Sequence, residues 1–243
     1  MDISSRTGML AAALVLLGVM VFGADGAAAA TVCGADSDVC VVVNTNKDVD
    51  QRDDVVSLRE ALLIQSGTMS PADLSSAEQA QVHVATNLGF SGSVDINFDA
   101  TVFCEGCNGG RIVLQPPGIG EPDSYTGNLT LALPPGIGEP DGSPPGVGHR
   151  SLIGMGVVDG VEVPVDVVID GSKLSDDYVG IWLTGKGSVQ GIRFQNFAGH
   201  AIEIDGKYES KILIGSDGDG VLDSSEAVTF ANNGADVVVL PAK

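Results

Sequence analysis

Four carboxylates crowd one short stretch of the chain: Asp217, Asp219, Asp223 and Glu226. Counted from Gly215 as position 1, they fall at positions 3, 5, 9 and 12, with Gly220 at position 6 and the Val221 carbonyl at position 7. This is the ligand spacing of an EF-hand-type calcium loop. A hard cation takes six or more oxygens, and the glycine lets the chain turn sharply around it. Position 1, ordinarily an aspartate, is Gly215, and the flanking runs 212–214 and 228–230 read as strands rather than helices. Two readings therefore stand. Either a structural calcium is held by Asp217, Asp219, the Val221 carbonyl, Asp223 and Glu226, or the loop is acidic and simply solvated.

The second candidate chemistry belongs to the four cysteines. The spacings Cys33/Cys40 and Cys104/Cys107 suggest two local disulfide loops, although four cysteines allow three connectivities. A zinc site built from all four thiolates is the competing reading. A redox Cys-x-x-Cys at 104–107 is disfavoured, because no helix is expected there to lower a thiol pKa.

The elements that position these groups begin with a leader. Residues 1–9 carry a single Arg6, residues 9–23 form an uninterrupted apolar run, and small residues fill 24–30, the order of a secretory signal peptide cleaved after Ala28, Ala29 or Ala30. The run is shorter than the ~20 apolar residues of a membrane span, so no transmembrane segment is expected after cleavage. Secretion or display at the cell surface follows. The chain has 243 residues and a formal charge of −20. Loss of Arg6, Asp2 and Asp25 leaves 11 basic against 30 acidic residues, so the charge is −19. Such a surface argues against nucleic acid as a partner. Charged residues make up only 18% and glycine, at 33 residues, is about twice its usual share, which fits a folded chain with many tight turns.

Three regions are expected: the leader at 1–30, an N-terminal capping region at 31–93, and a β-rich region at 94–243. In the capping region, residues 41–44 read as a strand, and Ser57-Leu58-Arg59-Glu60 is a capping box leading into Ala61, Leu62, Leu63 and Ile64. A second helix is expected from Ser70 and Pro71 to about His83. Beyond residue 94, apolar runs too short for helices recur between Gly, Asp and Asn turns: 96–98, 112–114, 129–133, 152–153, 165–169 and 181–183. Between them the sequence PPGIGEPD occurs twice, at 116–123 and 134–141, followed by PPGVG at 144–148. These read as proline-glycine loops without chemistry.

Residues 191–196 align with 227–232 at a shift of 36, and the same shift carries Ile202 onto Val238 and Ile204 onto Leu240. A shift of 21 sets 180–183 on 201–204. The longer period is the shorter one with 15 residues inserted, and the acidic stretch 215–227 is the natural insert. A period near 20 without helical spacers is that of a parallel β-solenoid, in which asparagines such as Asn196 and Asn232 stack at one turn. A β-sandwich with accidental strand similarity is the alternative.

Val56-Ser57-Leu58-Arg59-Glu60-Ala61 resembles the CSLREA segment found behind the signal peptide of many secreted right-handed parallel β-helix proteins, with Val56 in place of the leading cysteine. Segments 95–98, 111–114, 128–131 and 168–171 are similar to the first coils of that group, and 214–226 to an acidic loop that recurs in it. The resemblance implies an all-β chain, a right-handed pectate-lyase-like parallel β-helix with a short N-terminal helical cap. It implies no particular activity, because the group includes surface and adhesin-like proteins. A structural or interaction role at the cell surface is therefore expected, facing an extracellular polysaccharide or a cell-surface component.

A polysaccharide lyase or glycoside hydrolase is the alternative, and a calcium-dependent carbohydrate-binding module lies between the two. A polygalacturonase-like site needs Gly-His-Gly and Arg-x-Lys elements beside clustered carboxylates. Here Gly199-His200 is followed by Ala201, and Asp176-Asp177 stands alone. A lyase needs a basic proton abstractor. Lys186, Arg193, Lys207 and Lys211 supply the residue types, but each reads first as a solvent-facing side chain. His83, His149 and His200 are scattered singly. An anionic polysaccharide would be repelled by this surface unless calcium bridged it. The last apolar run, 237–240, would leave its coil uncovered, so either end-to-end self-association or continuation in a longer protein is expected.

Overall fold

The computed structural model describes residues 39–84, 94–104, 106–107, 110–116, 129–132, 150–158, 161–185, 187–206, 212–216, 220–221 and 223–241. The leader, Cys33, Asn128, His149, Lys186, Lys207, Lys211, Asp217 and Asp219, and nearly all of the proline-glycine repeats lie outside the described residues.

The described chain opens with β1 (Val39–Val43), α1 (Leu58–Gln65), a 3-10 turn (Pro71–Asp73), α2 (Ser76–Gln79) and β2 (Val82–Val84). Short strands then follow in a repeating order. A first round contains β3 (Val94–Phe98), β4 (Arg111–Val113) and β5 (Leu129–Ala132). The second contains β6 (Arg150–Ile153), the hairpin β7 (Met155–Val158) and β8 (Val161–Pro164), then β9 (Val167–Asp170) and β10 (Ile181–Thr184). The third contains β11 (Gly187–Gln190), β12 (Ile192–Gln195) and β13 (His200–Asp205), and the fourth β14 (Ile212–Ile214), β15 (Thr229–Ala231) and β16 (Ala235–Leu240).

The strands of each round enter three sheets in turn. The first sheet has the order β14-β11-β6-β3-β1-β2, the second β15-β12-β9-β4 and the third β16-β13-β10-β5. Among the described residues every pairing between rounds is parallel, and the antiparallel pairs are β1 with β2 and the hairpin β7 with β8. The chain is thus predominantly β, built on parallel sheets. Alternate residues of each strand point to opposite faces, and the register stacks like positions on like. Ile112, Ile169, Phe194 and Phe230 form one inward row of the second sheet. The first three are completely buried, and the rings of Phe194 and Phe230 stack with centroids 5.8 Å apart. Each such buried side chain contributes about 1.5–3 kcal/mol.

The 21-residue shift is the observed register of β10 on β13, with Ile181 facing Ile202 and Leu183 facing Ile204. The 36-residue shift holds for β12 on β15, where Arg193 faces Thr229, but not for the next strand. There Ile202 faces Val237 and Ile204 faces Val239, a shift of 35 rather than the alignment with Val238 and Leu240. The slip falls between Asn232 and β16, where Asn233 accepts from the Phe197 N–H and so places the turn by hydrogen bonding rather than by residue count. Its consequence is a change of face, because a one-residue slip moves every side chain of a strand to the other side.

In the N-terminal region α1 starts at Ser57 as expected, with both halves of the capping box formed. The helix expected from Ser70 to about His83 is instead broken. Leu74 is extended and buried, Ser75 caps a separate four-residue helix, and β2 pairs antiparallel with β1 through His83 and Cys40. Strand β1, within the expected capping region, pairs in register with β3 and so belongs to the first sheet.

Inserts gather at the turn from the first sheet to the second. The second round places the β7–β8 hairpin there and the fourth places residues 215–228, whereas the third passes directly through Gly191. The Gly154 N–H donates to the Gln190 carbonyl at 2.8 Å, and the Gly191 N–H to the Glu226 carbonyl at 2.9 Å. Gly191 has φ 62°, a left-handed conformation that favours glycine. A Cβ on Gly154 would overlap the Gly191 carbonyl oxygen, which is backbone and cannot rotate away. Gly154→Ala is therefore expected to destabilise the fold by about 1–3 kcal/mol, read as a lowered midpoint of urea unfolding at unchanged slope.

Candidate functional site

Three constellations of polar groups are positioned by this arrangement, and two of them are buried. The first surrounds the Ser57-Leu58-Arg59-Glu60-Ala61 segment. Arg59 forms a two-pronged pair with Asp48, Nε to Oδ1 at 2.9 Å and Nη2 to Oδ2 at 2.7 Å, and its Nη2 also donates to the Gln115 carbonyl at 3.0 Å. The Gln115 N–H returns a hydrogen bond to Asp48 Oδ2 at 2.7 Å. Arg59 is 6% exposed and Asp48 5%, so the pair ties α1 and the loop before it to the segment leaving β4 in a largely water-free setting.

Beside it, Glu60 accepts from the Ser57 and Gln51 N–H groups and from Arg52 Nη1, each at 2.9 Å. Arg52 also pairs with Asp50 and lies 3.5 Å from Glu78. Burial pushes the Glu60 carboxyl above its ordinary range, against the hydrogen bonds from Ser57 and Gln51. Burial also opposes the charge on Glu78, but hydrogen bonds from the Ser75 and Asp53 N–H groups hold that carboxyl below its ordinary range. Arg59 and Glu60, the polar heart of the motif, are engaged with other protein groups.

The second constellation is centred on Asp170, at the end of β9. Its side chain is fully buried although it lies on the outward row of the second sheet. Oδ2 accepts from Arg111 of the first round at 2.6 Å and from Gln195 and Asn196 of the third at 2.8 and 2.7 Å, while Oδ1 accepts from the Ser172 N–H at 2.9 Å. Burial works to raise this carboxyl, but the hydrogen bonds outweigh it and hold its pKa at about 2. Asn196 and Asn232 both take a positive φ, 60° and 56°, and Asn232 donates to Asn196 Oδ1 at 3.5 Å. The expected asparagine stack is present, and Asp170 extends it backwards by one round, with Arg111 of the first round bound to it. Asp170 escaped the sequence reading because its partners lie 25, 26 and 59 residues away, a separation that only the parallel register turns into contact.

The third constellation is the acidic loop. Of its proposed ligands, Val221, Asp223 and Glu226 are described. Val221 is 56% exposed, while Glu226 is buried with Oε2 accepting from the Asp223 N–H at 3.1 Å. Glu226 thus turns into the loop and bonds the backbone beside position 9, drawing two of the five proposed ligand positions together. Among the described residues no group of three or more metal-ligating side chains is assembled. Asp217 and Asp219, outside the described residues, are the other carboxylates such a group would need.

Of the remaining candidates, Arg193 stands on the outward row of the second sheet, half-exposed and 3.9 Å from Asp166. His200 Nδ1 lies 3.2 Å from Glu203 Oε2, and Glu203 faces Trp182 across the third sheet. A disulfide joins Cys104 and Cys107, whose Cα atoms are 5.1 Å apart. Cys40 is also disulfide-bonded, to a partner outside the described residues. Among the described residues no helix is long and apolar enough to cross a membrane. No family model, no curated protein and no solved structure matches the chain.

Proposed function

We propose that the chain is a secreted or surface-exposed structural and interaction protein, built as a right-handed parallel β-helix of the kind its SLREA segment resembles. The observation that carries the architecture is the strand order. Among the described residues four rounds visit the same three sheets in the same sequence, and every pairing between rounds is parallel. Right-handedness follows from the general rule for parallel crossover connections, since a right-twisted strand packs back onto its sheet in that hand in about 98% of cases. The structural role is supported by what the buried charges do. Arg59, Asp48, Glu60 and Asp170 each spend their hydrogen-bonding capacity on other parts of the chain, joining cap to coil and coil to coil. The partner would be an extracellular polysaccharide or another component of the cell surface.

The loop 215–226 is the second element of this reading, as a calcium site that stiffens the last insert through Asp217, Asp219, the Val221 carbonyl, Asp223 and Glu226. Extracellular calcium modules bind with dissociation constants of ~0.1–1 mM. For a constant of ~0.1 mM, 1 mM calcium would stabilise the native state by about 1.4 kcal/mol, which raises the melting temperature by about 3–6 °C in a chain of this size. An unchanged melting temperature at millimolar calcium would discard the ion. A glycan panel assayed for binding and for new reducing or unsaturated ends tests the role itself. Binding without turnover is expected, and release of ends at catalytic rates would replace this reading with a lyase or hydrolase.

A further inference from the structure

Asn233 is followed by Gly234, the pairing in which a side-chain amide is most open to attack by the next backbone nitrogen, because glycine has no side chain to obstruct the approach. Both residues are demanded by the turn into β16. The third and fourth rounds stand 36 residues apart where Gln195 faces Ala231 and 35 apart where His200 faces Ala235, so the fourth turn is one residue shorter. Gly234 fits it because a Cβ there would lie 2.2 Å from the Ala198 carbonyl oxygen, which is backbone. Asn233 fits it because its side chain bonds in three directions. Oδ1 accepts from the Phe197 N–H at 3.1 Å, and Nδ2 donates to the Phe194 carbonyl at 3.3 Å and to Asp236 Oδ1 at 3.0 Å. A chemically labile pair is thus built into the turn by packing and hydrogen bonding.

We infer that Asn233 is a deamidation site that the fold holds closed, and that its reaction releases β16 from β13. The step needs only water. The Gly234 nitrogen loses its proton and attacks Asn233 Cγ. The N–Cγ bond forms, the Cγ–Nδ2 bond breaks, and Nδ2 leaves as ammonia with that proton. Water then opens the succinimide at either carbonyl, giving aspartate or isoaspartate. In the native turn neither reacting group is free. The Gly234 N–H donates to the Phe197 carbonyl at 2.8 Å, a hydrogen bond that favours the protonated nitrogen. Turning Cγ toward that nitrogen also breaks all three side-chain bonds. Reaction therefore waits on local opening, and its rate is that of the open chain scaled by the population of the opened turn.

The product does not close again. An aspartate keeps the bond from the Phe197 N–H, but it sets an oxygen where Nδ2 stood, against the Phe194 carbonyl and the Asp236 carboxylate. Two donated bonds become repulsions. An isoaspartate carries the main chain through its side-chain carbons and makes it one atom longer. The Gly234 N–H, and the Ala235 N–H that donates to the Gly199 carbonyl at 3.0 Å, then fall out of step with their acceptors. The phase of this turn is what sets Val237 on Ile202 and Val239 on Ile204.

Ageing the full chain in mildly alkaline buffer, with and without denaturing urea, and mapping its peptides by mass spectrometry reads the rate at Asn233 separately from that at the other Asn-Gly pair, Asn108-Gly109. Asn233 is expected to react at least tenfold more slowly in the folded chain, and equal rates would overturn the guard. Asn233→Asp supplies one product directly. Amide hydrogen exchange across 235–240 should be at least tenfold faster in it than in the wild type. Asn232→Asp is the comparison, since that side chain is exposed and donates to Asn196 only at 3.5 Å, and it should change the exchange less than threefold. An Asn233→Asp protein that exchanges within threefold of the wild type, or no faster than Asn232→Asp, would overturn the release. If Asn233→Asp does not fold, the aged wild type, sorted by charge into reacted and unreacted fractions, gives the same comparison, and equal exchange in the two fractions overturns the release.

Discussion

Replacing Arg59 by alanine is expected to destabilise the protein by about 3–5 kcal/mol, the largest single effect outside the hydrophobic interior. The reason is not the strength of the ion pair itself. A buried pair roughly offsets its own desolvation, but removing one partner leaves the other charge in a site built to exclude water. Asp48 would retain the Gln115 N–H and lose both prongs of the guanidinium at 2.7 and 2.9 Å. Arg59→Lys tests the geometry separately. A lysine keeps the charge but cannot span both carboxylate oxygens and the Gln115 carbonyl in one plane, so it should recover only part of the loss. Urea unfolding of the two variants and of Asp48→Asn measures this. A loss below about 1 kcal/mol in Arg59→Ala would show that the site admits water and that the cap is not sealed by this pair.

Asp170→Ala is expected to cost about 3 kcal/mol, because the Gln195 and Asn196 amides and the Ser172 N–H lose a charged acceptor together. Arg111, about half-exposed, can turn to water and limits the damage. The same carboxyl writes a pH signature. Its folded pKa is depressed from 3.8 to about 2, so its stabilisation is complete above pH ~4 and is lost as the pH falls through the interval down to about 2. A shift of that size corresponds to about 2 kcal/mol. Stability should therefore fall across this acid window in the wild type, and the fall should be smaller by about that amount in Asp170→Asn. Parallel acid profiles for the two proteins would remove Asp170 from the account.

These two residues show how unevenly the sequence discloses its structure. Arg59 sits in a motif that announces itself: Ser57 three residues before Glu60 is a helix start by local hydrogen bonding alone, and the structure forms it. Its partner Asp48 is one of several acidic residues in a polar stretch, and nothing local distinguishes it from Asp50, Asp53 or Asp54. The second helix failed for an equally local reason, since Ser70 and Ser75 both make good caps and the buried Leu74 between them splits the segment. The hairpin β7–β8 has a local signal as well, since Asp159-Gly160 between valines is a two-residue turn pair. Strand β11, Gly-Ser-Val-Gln, carries one apolar side chain, and its pairing on both sides makes it a strand.

What the amino-acid order determined by itself was mostly what depends on neighbours within a few residues, the capping box and the short apolar runs, together with the repeat that sets Phe194 on Phe230. What only the tertiary structure decided depends on register between rounds. It brought Arg111, Asp170 and Asn196 to one point, moved β16 by one residue so that Val237 and Val239 continue the inward rows, and turned Glu226 onto the Asp223 backbone. The physical reason is that parallel pairing joins residues 21 to 57 positions apart through inserts of unequal length. A repeat in the sequence shows that such pairing exists, but hydrogen bonds at the turns select its phase.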